Sequence, residues 1–149
     1  MKHFHKKRLL KLAEFLENLP TKKFNFGEIV EKFDQKNKCG TICCAVGWCP
    51  TVFPRDWTWV KDKYDPTKAW AYLKSEINAN IEGLKYLDWS ESASKFFGIS
   101  LYEADDLFYP NRPRPWDNYK ELHETATPKQ VAKSIRKFLE WKEAGNTEV

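Results

Sequence analysis

Four cysteines fall within eleven positions of this 149-residue chain: Cys39, Cys43, Cys44 and Cys49. Most of them lie in a run of small residues, Cys39-Gly40-Thr41-Ile42-Cys43-Cys44-Ala45-Val46-Gly47-Trp48. Three kinds of role suit such a run. In the first it is structural: small residues permit close packing, Gly47 admits a neighbouring backbone, and cysteines behave as small hydrophobes. In the second it is a binding loop. A Gly40-Thr41 turn feeding a helix start presents free N–H groups and a positive dipole end, which suit phosphate or carboxylate. Trp48, Trp57 and Trp59 would then stack on a planar group. In the third, Cys43 or Cys39 is a nucleophile or metal ligand, because a helix N-terminus favours the thiolate. Catalysis would need a base, and His123 is the single histidine beyond the first few residues. Zinc would need four ligands, for instance Cys39, Cys43, Cys49 and His123, although the spacings are not those of paired-cysteine ribbons.

Two other segments carry reactive side chains. Arg112-Pro113-Arg114-Pro115-Trp116 combines guanidinium groups with an aromatic ring, a mix that suits phosphate, single-stranded nucleic acid or a protein interface. A rigid surface connector accounts for it equally simply. Glu103, Asp105 and Asp106 lie near the start of an expected helix, where carboxylates complement the dipole.

The charge total is mild: 25 basic against 21 acidic side chains, a net of +4. Its distribution is uneven. Residues 1–38 carry ten basic and five acidic side chains, residues 75–109 two and seven, and residues 110–142 eight and four. Solvated helix faces explain such runs, and nucleic acid is a disfavoured but open partner. No apolar run approaches the ~18 residues of a membrane span. Adjacent Cys43 and Cys44 are poorly placed for framework disulfides, so reduced thiols and a cytoplasmic location are expected. No cofactor is expected, and the oligomeric state is open.

The elements that must position these residues follow from periodicity and punctuation. His3 to Asn18 is an amphipathic helix with Leu9, Leu12, Ala13 and Leu16 on one face, stopped by Pro20. Phe26, Ile29, Val30 and Phe33 fit one face of a second, shorter helix, and residues 34–38 read as a loop. Thr41 is the expected N-cap of a helical Ile42–Trp48. Pro50 and Pro54 bracket an exit loop, and Trp57 to Val60 alternates like a short strand. Ala69 to about Leu87 has helical character around Trp70, Leu73 and Ile77. Ser90 opens a helix that Gly98 closes, and Ser100 with Glu103 forms a capping box for the next, which Pro110 ends. Residues 110–119 read as an irregular surface loop. Thr127, Pro128 and Gln130 open the last helix, which carries Val131, Ile135, Phe138 and Leu139 and stops at Gly145. The product expected is all-α: one compact domain over residues 1–149, of five to six helices with at most one short β-hairpin. Its core would span about 5–143, with a loose tail at 145–149. The aromatic load of 7 Trp, 6 Tyr and 10 Phe supplies much of that core.

The order of motifs resembles a family of small, largely uncharacterised bacterial and phage proteins. The resemblance is carried by Cys39, Gly40, Thr41, Cys43, Gly47 and Trp48 in a Cys-Gly-Thr-x-x-Cys-x-x-Gly-Trp segment. Pro54, Trp57 and Trp59 follow, then Phe96, Phe97 and Gly98. Leu107, Phe108 and Pro110 form a helix end, and Thr127, Pro128, Gln130, Val131 and Ala132 open the last helix. It extends from about residue 5 to 143, and Cys44 and Cys49 lie outside it. The resemblance implies a small accessory role without assigning an activity. A non-enzymatic binding protein is therefore expected, one that sequesters a small anionic, nucleotide-like ligand or blocks a host protein. Cysteine-dependent catalysis, metal binding through Cys39 and Cys43, and nucleic-acid binding are the alternatives.

Overall fold

The first and last helices form the frame. In a computed structural model, α1 (His3–Asn18) buries Leu9, Leu12, Ala13 and Leu16 against α6 (Pro128–Glu143), which buries Val131, Ala132, Ile135, Phe138 and Leu139. Lys6 pairs with Glu143 and Glu17 with Arg136, so the two helices run in opposite directions. The structure describes residues 1–27, 30–32, 42–61, 64–65, 67, 69–79 and 89–147.

Between these helices lie β1 (Val30–Lys32), β2 (Ile42–Cys43), α2 (Cys49–Val52), β3 (Trp57–Lys61), β4 (Ala69–Leu73), α3 (Lys74–Ala79), α4 (Trp89–Phe97) and α5 (Leu101–Phe108). The chain is compact and mostly helical, as its periodicity requires. The expected hairpin is β3–β4, paired from Trp57↔Leu73 to Lys61↔Ala69. A second, minimal antiparallel pairing joins β1 to β2, so strand content goes beyond the single hairpin expected.

Three local expectations are corrected. Ala69 to Leu73 is a strand rather than the start of a helix; only Lys74–Ala79 is helical, and 80–88 lie outside the described residues. The cause is its period of two. Ala69, Ala71 and Leu73 face the core while Trp70 and Tyr72 take the other face, and the backbone finds a partner in β3. The described part of the expected 26–33 helix is extended: Val30–Lys32 pairs with Ile42–Cys43, and Phe24 bridges Cys43. Two short apolar segments without a long helical stripe gain more from cross-strand pairing than from nucleating a turn. Ile42 and Cys43 are therefore strand, not helix. Helical backbone begins only at Val46–Trp48, as a 3₁₀ turn, and continues into α2 with Pro50 in its first turn.

Pro50 lies inside α2 rather than at the start of an exit loop, and α4 starts at Trp89, one residue before the expected Ser90. The later stops and caps are as expected. Gly98 ends α4 at φ +64°, Ser100 and Glu103 cap α5 reciprocally, and Thr127 and Gln130 do the same for α6. An aromatic file runs through the centre, with Phe53–Phe96 at 4.9 Å, Trp57–Phe96 at 5.6 Å, Phe96–Phe97 at 5.1 Å and Phe97–Phe108 at 5.7 Å. The first three are edge-to-face, which suits the ring quadrupoles, and Phe97–Phe108 is tilted.

Candidate functional site

The cysteine segment is packed into the core. Cys43 and Cys49 have no exposed surface, and Cys44, Gly47, Trp48 and Trp57 are buried. Its polar atoms face inward. The Cys43 carbonyl accepts from Asn25 N at 3.1 Å, Trp48 Nε1 donates to the Lys23 carbonyl at 3.0 Å, and half-buried Trp59 donates from Nε1 to the Gly47 carbonyl at 2.8 Å. Trp57 Nε1 is buried without a partner. These indoles act as pegs between strands and turn, and the Trp48 and Trp57 rings are buried while Trp59 is half-buried. Cys39, Gly40 and Thr41 lie outside the described residues, but the helix they were expected to start does not begin at Ile42.

The same burial weighs against thiol chemistry. Removal from water pushes the Cys43 and Cys49 thiols well above their ordinary range, so the thiolate is disfavoured. His123 is exposed and hydrogen-bonded within its own turn to Thr125 at 3.1 Å; no hydrogen bond joins it to Cys43. Among the described residues no three His, Cys, Asp or Glu side chains gather as a metal site would require.

The 110–119 loop lies at the surface and is irregular apart from a 3₁₀ turn at Pro115–Asp117, but two of its candidate side chains, Arg114 and Trp116, point inward. Arg114 is fully buried, with its guanidinium 5.6 Å from the Phe26 ring. It donates to the carbonyls of Tyr109 at 3.2 Å and Arg112 at 3.4 Å. Desolvation lowers its pKa to about 10, so the side chain stays protonated at neutral pH. Trp116 packs on Phe138 at 4.9 Å and donates to Ser134 Oγ at 3.1 Å. Arg112 is partly exposed and is paired with Asp106 at 3.1 Å and Asp105 at 3.7 Å. Glu103, nearly fully buried, caps α5 and accepts from Lys142 at 2.9 Å. The acidic cluster is thereby accounted for by structure.

Open, charged surface converges elsewhere. A cleft of about 450 Å³ is lined by Arg8 of α1, Arg55 and Asp56 of the turn before β3, Leu73 to Glu76 at the β4–α3 junction, and Lys95 and Phe96 of α4. Four cations and two carboxylates meet there. Arg8 is held in place: it donates to the Phe96 carbonyl at 2.7 Å and stacks over the Phe96 ring at 4.0 Å and the Phe4 ring at 5.0 Å. Lys74 donates to the Pro54 carbonyl at 2.9 Å, and the Asp56 carbonyl accepts from Lys74 N at 2.8 Å, which ties the turn to the strand end. Lys95 pairs with Glu76 at 2.5 Å, which favours its charged form. Arg55 is exposed and makes no ion pair among the described residues.

None of these cations was singled out from sequence. Arg8 sits on the basic flank of an ordinary amphipathic helix, Arg55 in a turn, and Lys74 and Lys95 in separate elements. The one local signal is Pro54-Arg55-Asp56, a charged turn set between two buried aromatics, Phe53 and Trp57.

A second, apolar groove of about 830 Å³ runs along the C-terminal end of α1, bordered by Phe15, Leu19, Pro20, Val52 and Pro54. No described helix is long and apolar enough to cross a membrane. No protein family, curated protein or solved structure matches the chain.

Proposed function

We propose that this chain is a non-enzymatic binding protein that takes a small anionic ligand in the Arg8–Arg55–Lys74–Lys95 cleft. The observation that carries this reading is the fixed Arg8 guanidinium, clamped by two rings and a carbonyl, beside the unpaired Arg55. Oriented guanidinium groups suit phosphate and carboxylate, since their planar donors match a pair of anionic oxygens. The ligand class is the one expected from the sequence; its place is not. The cysteine segment serves as the scaffold under the β3 turn that carries Arg55 and Asp56. An accessory protein of a bacterial or phage-infected cytoplasm, capturing a soluble signal molecule, fits both this cleft and the family resemblance.

Cysteine-dependent catalysis has little support, because Cys43, Cys44 and Cys49 are buried and burial pushes the Cys43 and Cys49 thiols up. Nucleic-acid binding has less support than a small ligand, because the guanidinium–aromatic loop at 112–116 is spent on internal packing. Blockade of a host protein draws on the apolar groove at the end of α1.

A thermal-shift panel of phosphates, nucleotides and dicarboxylates, run on the wild type and on an Arg55→Ala/Lys74→Ala variant, tests the reading. Stabilisation by an anion in the wild type and its loss in the variant is expected. Equal shifts in the two proteins, or none in either, would overturn the cleft as the site.

A further inference from the structure

Resting on the anion-binding reading above, we infer that the cleft selects a phosphate monoester of a hydroxyl-bearing small molecule and rejects polyanions. The charge balance supplies the first argument. Arg8, Arg55, Lys74 and Lys95 against Asp56 and Glu76 leave two positive charges, which a phosphate monoester, carrying close to two negative charges at neutral pH, neutralises. A phosphodiester chain brings one charge per unit and must continue past the site on both sides. Asp56 and Glu76 are part of the lining, and their carboxylates repel a polyanion threading past it.

The second argument is the mixture of partners within one small volume. A nucleic-acid groove tracks a backbone with cations and stacks bases on exposed rings. Here the only ring among the described lining residues, Phe96, is covered by Arg8 at 4.0 Å and serves to hold that guanidinium. What faces the interior instead is guanidinium and ammonium donors, the Ser75 hydroxyl and two carboxylates. Cations take the phosphate oxygens, and carboxylates accept hydrogen bonds from ligand hydroxyls. The cleft's 450 Å³ holds a sugar phosphate but not an oligomer.

The division of labour among the side chains follows from their commitments. Arg8 and Lys74 already donate to main-chain carbonyls, so they are fixed walls with donors to spare. Arg55, exposed and unpaired, is free to fold onto the phosphate when it enters. Lys95 and Glu76 are paired to each other, and a ligand hydroxyl bridging them gains a donor and an acceptor together. Asp56 is the remaining acceptor, adjacent to Arg55 in the chain.

Titration calorimetry with three probes tests this: inorganic phosphate, ribose 5-phosphate and a ten-residue oligothymidylate. The expected order has ribose 5-phosphate tightest, inorganic phosphate weaker and the oligonucleotide weakest. Arg55→Ala, at an exposed site, should weaken ribose 5-phosphate about tenfold with the fold unchanged by circular dichroism. Asp56→Asn should narrow the gap between ribose 5-phosphate and inorganic phosphate and raise oligonucleotide affinity. If the oligonucleotide binds tightest and Arg55→Ala abolishes that binding, the cleft takes anions but the monoester assignment is overturned. If no probe binds, or Arg55→Ala changes nothing, both the assignment and the cleft fall.

Discussion

Gly98 shows how a single residue decides a local geometry that several others depend on. Its φ of +64° lets Ile99 N close back onto the Ser94 carbonyl at 3.1 Å, the left-handed helix stop that follows α4. A β-carbon at this position would overlap the His5 ring of α1, so the glycine answers two requirements at once. Gly98→Ala is expected to cost about 1–2 kcal/mol for the left-handed backbone alone. Displacement of His5 adds to it. Urea unfolding of Gly98→Ala with and without His5→Ala separates the two: the ring-contact part disappears in the double variant and the backbone part remains. Additive losses would show that His5 gives way freely. The same close fit favours the structural reading of the cysteine segment. Cys43, Cys44 and Gly47 have the types of a reactive loop, yet the small size that makes a phosphate-binding turn also permits a tightly packed strand end and 3₁₀ turn. Residue type does not distinguish them; burial does.

At the scale of elements, the helix boundaries were legible wherever a side chain closes them locally. Thr127 Oγ1 accepts from Gln130 N at 3.2 Å while Gln130 Oε1 accepts from Thr127 N at 2.9 Å, and both partners lie within four residues of each other. Thr127→Ala removes the acceptor and is expected to lower stability by about 1 kcal/mol, with Thr127→Ser recovering most of it. Thermal denaturation reads this directly, and an unchanged midpoint would show that α6 is held by packing alone. The strands were less legible because their partners are remote. Ala69–Leu73 carries Trp, Tyr and Leu at intervals that suit a helical face as well as a strand, and what decides is its pairing with Trp57–Lys61, at separations of 8 to 16 positions. Val30–Lys32 and Ile42–Cys43 are shorter still, and each is a strand because the other is present.

Over the whole molecule, the uneven charge of the sequence is folded into complementary contacts. Basic α1 and basic α6 lie side by side, and Glu17–Arg136 and Lys6–Glu143 bridge them. This arrangement sets how stability responds to acid. Burial, and after it the charge of Arg8, hold the His5 imidazole below its ordinary value of 6.5. As pH falls through 6.5 the unfolded chain takes up that proton before the folded one, so stability falls, and the loss levels off once folded His5 is protonated too. Glu17, held low by the Arg136 hydrogen bond, acts in a lower window: its contribution is present above 4.5 and is lost as pH drops through its folded value. Stability measured by urea unfolding from pH 7.5 to 3.5 is therefore expected to fall in two stages. His5→Gln should flatten the first and leave the second. A first stage that persists in His5→Gln would assign it to other groups.

The sequence alone determined the helical frame of this protein, its caps and stops, and the apolar stripes that become its core. Each of those depends on residues within about four positions, where backbone hydrogen bonds and side-chain caps are local. Only the tertiary structure decided which polar side chains face water. It buried Cys43, Trp57 and Arg114, and it drew Arg8, Arg55, Lys74 and Lys95 from separate elements to one cleft. Burial and charge convergence are sums over distant parts of the chain, set by how α1, the β3–β4 hairpin and α4 pack together.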